Sequence, residues 1–356
     1  MNKEFNVILS VVQVNKDEKL NEYIDQIISK DLDWKKILGE LFYHRIAGYF
    51  YNGLTEKQFD KVPRDVKNAL RLYTNALKIE QKKRFNLVKK VLNILNKNDI
   101  SYATLKGLSF LFEFYPLGIK QSNDFDIWVI EEDLNKLDTC MRRLGFIQSN
   151  LNDNELVEAS KREKIIQRLN YHDLVPYVYD FRKDKSGTKV GTEDILVLDV
   201  NFVFASRQNV EMDKEIYKLG LTNIFKEGLM VKSLNHYVHL LFLCIHFYRE
   251  ATNTLWTKGV NDIKLYKIID INNLLNVHKN DFDIKHWCIL VQKYGLEKEC
   301  YLTFSVLNDA YPKKQYEECL SILRPDDIGF INEIVVEGEN RKIRRSAKIF
   351  DIIINS

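Results

Sequence analysis

The fold is decided by the stretch Asn123-Asp124-Phe125-Asp126-Ile127-Trp128-Val129. Residues i and i+2 of a β-strand point to the same face, so Asp124 and Asp126 should project side by side while the apolar residues between and after them face the core. Two adjacent carboxylates repel each other, and burying them without a partner is costly. A divalent cation removes that cost, and Mg²⁺ prefers carboxylate oxygens together with substrate phosphates. The stretch therefore predicts a strand that carries part of a metal site for phosphoryl or nucleotidyl transfer.

A third acid lies on a later apolar run, Ile195-Leu196-Val197-Leu198-Asp199-Val200-Asn201-Phe202. A half-buried strand rarely carries a lone acid without a partner or a purpose. If this strand pairs beside the Asp124 strand, three carboxylates converge, which permits a two-metal arrangement. We expect Asp199 to bind the metal on the nucleophile side and to assist deprotonation of the incoming hydroxyl.

A second functional element is the strand-to-helix turn Leu105-Lys106-Gly107-Leu108-Ser109. Glycine permits close backbone approach to a ligand, and the following helix N-terminus offers free N–H groups and a positive dipole end. The turn is therefore a predicted phosphate site. We expect Gly107 to approach the phosphates, Ser109 to add a hydroxyl, and Lys106 or Lys120 to add positive charge.

Hydrophobic periodicity divides the chain into three regions. Residues 1–97 and 206–356 have helical spacing, whereas residues 98–205 alternate between β-prone runs and short helical stretches. The predicted fold class is α+β, with a small mixed sheet and its helices flanked by N- and C-terminal helical regions. The predicted strands of the core are residues 101–105, 125–130, 175–181 and 195–204.

Composition indicates which partners and which cellular compartment to expect. The formal net charge is +3 over 356 residues, which implies no strong polyanion partner. Five cysteines without CxxC spacing fit reduced thiols in a cytoplasm. The N-terminus opens no signal-peptide pattern, and the longest apolar run, residues 238–247, is too short to span a membrane.

His236, His239 and His246 suggest zinc, but no cysteine or acid completes a ligand set, so we interpret them as structural.

Together these motifs resemble the nucleotidyltransferase superfamily of the DNA polymerase β type. The closer resemblance is to an uncharacterised bacterial family with a Leu-Lys-Gly motif, and it rests on Leu105-Lys106-Gly107, the Asp124–Val129 stretch and Leu198-Asp199-Val200. It covers residues 35–312. The resemblance implies a polymerase β-like core at 98–205 in which Asp124, Asp126 and Asp199 are catalytic metal ligands. It also implies two Mg²⁺ ions, with Mn²⁺ as a substitute, an NTP co-substrate, and release of pyrophosphate as an NMP moves to an acceptor hydroxyl or phosphate.

Three positions depart from the family pattern. Leu108 stands where glycine or serine usually follows the motif glycine, Lys120 stands where arginine is frequent, and Asn201 stands where histidine is frequent. Lys120 keeps the charge but lacks the bidentate fork of arginine. Asn201 removes a possible ligand or general acid. The resemblance also places a histidine at His172, so His172 and Asn201 are the substrate-side candidates.

The acceptor is left open by these motifs. The near-neutral charge favours a small molecule, a peptide or a protein over tRNA. Three alternatives stand beside this interpretation: a toxin of similar fold that modifies tRNA, an inactive module that binds a nucleotide or a partner, and a helical scaffold with an incidental α/β insert. The last of these predicts no metal dependence.

Overall fold

The computed structural model describes residues 3–150, 156–171, 173–182, 191–205, 210–254, 263–336, 338–339 and 341–355. The chain forms two compact units, one made of residues 1–76 and 240–356 and the other of residues 77–239. The core predicted from sequence, residues 98–205, lies wholly within the second unit.

Sixteen α-helices occupy the described residues. They are α1 (Lys3–Val11), α2 (Glu18–Ile27), α3 (Trp34–Tyr43), α4 (Ala47–Gly53), α5 (Glu56–Asp60), α6 (Arg64–Lys97), α7 (Lys106–Glu113), α8 (Leu134–Arg143), α9 (Lys161–Tyr171), α10 (Val210–Gly220), α11 (His236–Thr252), α12 (Leu265–Val277), α13 (Ile284–Lys293), α14 (Glu297–Ala310), α15 (Lys314–Ile322) and α16 (Ile349–Asn355). Side-chain caps start several of them: Asp17, Asp33 and Asp283 each accept from backbone N–H groups of the first turn. In the part of the chain described here, every helix is too short or too polar to cross a membrane.

The second unit contains a seven-stranded mixed sheet in the order β3-β4-β5-β2-β1-β7-β6. Its strands are β1 (Tyr102–Thr104), β2 (Asp124–Val129), β3 (Ile147–Gln148), β4 (Tyr177–Asp180), β5 (Ile195–Asn201), β6 (Leu221–Lys226) and β7 (Leu229–Leu234). The pairs β2–β5 and β1–β7 are parallel, and the other neighbours are antiparallel. The first unit adds a small antiparallel pair, β8 (Glu333–Val335) with β9 (Lys342–Arg344).

The register of β2 against β5 assigns each strand residue to a face. Phe125 pairs with Leu198 and Ile127 with Val200, and all four side chains are buried. Because side chains alternate along a strand, the acids between them lie on the opposite face of the sheet. Helices pack beside this part of the sheet: α7 lies against β2, and the ring centroids of Phe85 and Phe112, from α6 and α7, lie 4.8 Å apart.

The α+β class and the mixed sheet expected from sequence are confirmed. The helical assignment of residues 206–356 is wrong at two places. Residues 333–335 and 342–344 form the antiparallel pair β8 and β9. Residues 221–234 contain β6 and β7, which form a hairpin at the edge of the sheet. Its two-residue turn, Glu227 and Gly228, has φ values of 50° and 76°. Positive φ at both turn positions matches the twist of a tight hairpin. The pair Glu-Gly predicts a tight hairpin turn less strongly than Asn-Gly or Asp-Gly does. The apolar spacing of the flanking residues therefore favoured a helix.

Candidate active site

The parallel register of β2 and β5 brings two of the predicted acids directly opposite each other. Asp126 is the Cα partner of Asp199, and Asp124 stands two pairs earlier, opposite Val197. All three acids therefore share the face of the sheet that lies away from the apolar core. Asp124 is exposed at the start of the strand, Asp199 is half-buried, and Asp126 is only 5% exposed. The structure thus gathers acids from two strands separated by 65 residues of sequence or more.

The electrostatics of this acid cluster are unfavourable without a cation. Burial raises the pKa of Asp126, the nearby ammonium of Lys106 lowers it, and repulsion from Asp124 raises it further. Burial, followed by repulsion from Asp124 and then Asp126, raises the pKa of Asp199 well above its usual range. Among the described residues, the buried Oδ1 of Asp199 has no hydrogen-bond partner. An unpartnered buried oxygen beside two more carboxylates is a donor set that suits a hard divalent cation.

Lys106 connects the predicted phosphate turn to the acids. Its Nζ donates to Oδ1 of Asp126 over 2.6 Å, and its backbone adopts a left-handed φ of 46°. The preceding residue, Leu105, donates its backbone N–H to the carbonyl of Asp126 over 3.0 Å. The turn is therefore fixed to β2 by both a backbone and a side-chain contact. A left-handed backbone at a non-glycine residue is unfavourable, and such strain frequently accompanies functional turns.

Gly107 allows the buried Lys120 side chain to pass close to the turn. A Cβ at position 107 would lie 2.7 Å from Cε of Lys120 and 3.1 Å from Oγ of Ser122. Lys120 is 6% exposed and contributes positive charge toward Asp126. Its carbonyl accepts from the side-chain amide of Gln81. The absence of a side chain at Gly107 thus brings a second lysine to the acid cluster.

The remaining predicted residues have different surroundings. Ser109 is completely buried, and its hydroxyl shares a hydrogen bond with that of Ser233. Asn201 is the Cα partner of Trp128 and lies on the same face of β5 as Asp199. His172 lies outside the described residues. Lys106, Gly107 and Lys120 are therefore the members of the predicted phosphate group that the structure brings beside the acids.

Arg84 is a residue that the sequence reasoning missed. This α6 side chain is 4% exposed, and it donates from Nε to the carbonyl of Ile195 and from Nη1 to the carbonyl of Ser122, each over 3.1 Å. Ser122 lies two residues before Asp124, and Ile195 begins β5. Arg84 therefore hydrogen-bonds to the backbone at the start of β5 and just before the start of β2. Its guanidinium also lies 2.7 Å from a carboxylate oxygen of Glu80. The sequence indicates this residue only by a charged side chain among the apolar positions of a long helix.

Comparison with known proteins places the chain in a family. The model of a family described as uncharacterised nucleotidyltransferases matches residues 30–312. The chain belongs to this family. Membership in this nucleotidyltransferase family indicates the general reaction, nucleotidyl transfer, and an NTP as a substrate.

A solved structure gives a weaker likeness. The crystal structure of an antigenic nucleotidyltransferase-like protein from Paracoccidioides brasiliensis is 14% identical and covers 59% of this chain and 88% of its own, with a TM-score of 0.29. No curated protein matches the chain.

Proposed function

We propose that this nucleotidyltransferase moves a nucleoside monophosphate from an NTP to an acceptor hydroxyl or phosphate. An acceptor oxygen attacks the α-phosphorus and loses its proton where it carries one, the bond from that phosphorus to the α,β-bridging oxygen breaks, and pyrophosphate leaves. The observation that carries the proposal is the register of Asp126 against Asp199, which gathers three acids around an unpartnered carboxylate oxygen. The core would be of the polymerase β type.

Asp124, Asp126 and Asp199 are the proposed ligands of Mg²⁺. When bound, such ions neutralise phosphate charge and stabilise the attacking and leaving oxygens. Asp199 is also the proposed acceptor for the proton of an incoming hydroxyl, because its half-buried carboxylate lies opposite Asp126 in the acid cluster. Mn²⁺, which also takes carboxylate ligands, is the expected substitute.

Lys106, Gly107 and Lys120 are the proposed phosphate contacts. The ammonium groups of Lys106 and Lys120 both act electrostatically on Asp126. Because Gly107 has no side chain, the Lys120 side chain can lie against the backbone of the turn. The negative charge of a bound triphosphate would compete for the ammonium of Lys106, and the three acids would then need a bound cation to compensate Asp126. We assign no phosphate contact to the Ser109 hydroxyl, because it is buried against Ser233.

We propose a small molecule, a peptide or a protein as the acceptor rather than tRNA. The net charge of +3 offers little general attraction to a nucleic acid. A second candidate function is nucleotide binding without turnover. The observation that favours it is the ion pair of Lys106 with Asp126, which already compensates one acid without a metal.

The test combines labelling and pyrophosphate release. The purified full chain is incubated with Mg²⁺, a cell extract and each of the four NTPs labelled at the α-phosphate. We expect one NTP to give a labelled acceptor together with pyrophosphate, because the phosphorus–oxygen bond broken is the one next to the label. Asp126→Asn should abolish both products, since it removes a carboxylate ligand without changing the shape of the side chain.

Asp99→Asn is the matched control. Asp99 is exposed and has a φ of 51°, a backbone conformation that asparagine tolerates well. This variant makes the same chemical change outside the acid cluster and should keep full activity. Equal activity of Asp126→Asn and Asp99→Asn would refute the proposed site. Binding of an NTP with Mg²⁺ but no pyrophosphate from any extract would support the second candidate function.

A further inference from the structure

The strand β6 ends the seven-stranded sheet and has one open side. It stands last in the strand order, with β7 as its neighbour. Within the described parts of the chain, no backbone–backbone hydrogen bond reaches its other side. A free edge of this kind presents a row of unpaired N–H and carbonyl groups, which can accept another strand.

The hairpin fixes which backbone groups of β6 face the open side. Lys226 pairs with Leu229 across the two-residue turn, and in such a hairpin these residues exchange both of their hydrogen bonds. At the other end of the hairpin, the N–H of Asn235 donates to the carbonyl of Gly220 over 2.6 Å. Bonded and non-bonded pairs alternate along an antiparallel ladder, so the even-numbered residues of β6 bond to β7. The odd-numbered residues direct their N–H and carbonyl groups outward, and they are Leu221, Asn223 and Phe225.

The open side of β6 lacks the devices that keep natural edge strands apart. Such strands are commonly protected by proline, by a bulge or by a lysine placed at the edge. β6 contains no proline, and its pairing with β7 runs without a gap over its full length. Its one charged residue, Lys226, is the last of the strand, and its Nζ donates to the carbonyl of Leu111 on α7 over 2.6 Å. Phe225, by contrast, is 77% exposed.

The strand is complementary to a second copy of itself. In an antiparallel pair, residues with outward-facing backbone groups must lie opposite each other, and a twofold axis through Asn223 meets this condition. Leu221 then lies opposite Phe225 of the second copy, and Thr222 lies opposite Ile224. The first pair joins an aliphatic and an aromatic side chain, and the second joins two β-branched side chains. Cross-strand pairs of both kinds stabilise a sheet.

Charge also favours a second copy over an unlike partner. With the axis at Asn223, Lys226 falls opposite Gly220 of the second copy, so no like charges of β6 meet. Glu227 in the adjoining turn is already paired with Lys89 at 2.5 Å. This edge therefore offers no unpaired cluster of one sign that an oppositely charged peptide or nucleic acid would recognise.

We infer that β6 is the pairing edge of a twofold-symmetric dimer, in which two seven-stranded sheets join into one. The inference goes beyond the proposed function and is independent of it, because it uses no residue of the acid cluster. A ladder of this length is smaller than a standard protein–protein interface, so we expect a dissociation constant of about 1 to 100 μM.

The test is sedimentation equilibrium of the full chain at concentrations up to about 200 μM, where the expected affinity gives mostly dimer. Asn223 is exposed, so its substitution should leave the monomer folded. Asn223→Lys and Asn223→Glu should each raise the dissociation constant about tenfold or more, because the axis sets two equal charges roughly 5.5 Å apart at the Cα atoms. Asn223→Gln is the matched neutral control and should dimerise as wild type does.

A mixture of the two charged variants separates a specific contact from damage to the fold. Equal amounts of Asn223→Lys and Asn223→Glu should associate at least as tightly as wild type, because opposite charges then face each other across the axis. Added salt should weaken this mixed dimer and should strengthen the association of each charged variant alone. A misfolded variant would not recover its association on mixing.

The inference is overturned if wild type stays monomeric throughout this range, in which case the open edge is left to an extended segment of an unlike protein. It is also overturned if wild type dimerises and both charged variants dimerise as Asn223→Gln does, since the dimer then uses another surface. A mixture that associates no better than the separate charged variants would also contradict the proposed register. None of these results bears on metal binding by the acid cluster, so failure of the proposed function remains distinguishable.

Discussion

Replacing Lys106 with glycine has two opposing effects on the free energy of unfolding: it relieves backbone strain and it removes an ion pair. Lys106 has a left-handed φ of 46°, and its ammonium lies 2.6 Å from a carboxylate oxygen of the buried Asp126. Glycine adopts this backbone conformation without strain, so the substitution relieves about 1 kcal/mol. It also leaves Asp126 without its partner, and breaking a buried ion pair costs about 3 to 5 kcal/mol. The net expectation for Lys106→Gly is a loss of about 2 to 4 kcal/mol in the free energy of unfolding.

The second half of this prediction concerns the Asp126→Asn background. There the buried charge is absent, so Lys106→Gly should be neutral or should stabilise by about 1 kcal/mol. The double-mutant cycle should therefore give a coupling energy of about 3 kcal/mol or more. The measurement is urea unfolding of wild type, both single variants and the double variant at neutral pH in EDTA. Excess Mg²⁺ should restore much of the stability lost in Lys106→Gly, because a bound cation replaces the ammonium.

Additivity would refute this reasoning. If the effects of the two substitutions add to within about 0.5 kcal/mol, Lys106 and Asp126 are not coupled in solution. The pH dependence gives a further check. Without Lys106 the carboxyl of Asp126 avoids the unpaired charge by holding a proton, so the loss in Lys106→Gly should shrink as the pH falls. A loss that grows on acidification would contradict the assignment of the cost to a buried charge.

Three further predictions concern single side chains. Asp199→Asn should raise the midpoint of thermal unfolding in EDTA, because it removes one of three repelling carboxylates, and should reduce the upward shift that Mg²⁺ gives wild type. Burial raises the pKa of Asp213 to about 6, so the free energy of unfolding of wild type should fall as the pH rises from about 4 to 6. Asp213→Asn should remove this pH dependence. In urea unfolding at neutral pH the variant should be more stable by about 1 to 2 kcal/mol, a value reduced because Asp213 is partly exposed. Gly107→Ala should displace Lys120 and weaken tripolyphosphate binding, measured by calorimetry, about tenfold or more.

The acid cluster was accessible from sequence because strand alternation is a local rule. The spacing of Asp124 and Asp126 in an apolar run fixes their common face, and Asp199 within a second apolar run indicates another buried acid. The pairing of Asp126 with Asp199 is not local, since it depends on the parallel register of two strands that are far apart in sequence. The order of the motifs made that pairing an expectation, and the structure supplies the register.

The surroundings of the cluster were harder to predict. The direction of the Ser109 side chain depends on how the first turn of α7 is rotated, which brings its hydroxyl to Ser233 on β7. The strand β7 was itself missed, because the spacing of its residues also fits a helix. Arg84 reaches backbone carbonyls at both acid strands from a helix that precedes them. Contacts of this kind between distant segments leave no mark in the local pattern of residues.

The most direct test of the central claim is a count of bound Mn²⁺ by electron paramagnetic resonance, in the presence of an NTP analogue that cannot be cleaved. The account predicts that wild type and Asp99→Asn bind the ion, and that Asp126→Asn and Asp199→Asn each lose most of the bound signal. Equal Mn²⁺ binding by all four proteins would contradict the claim that Asp126 and Asp199 are cation ligands.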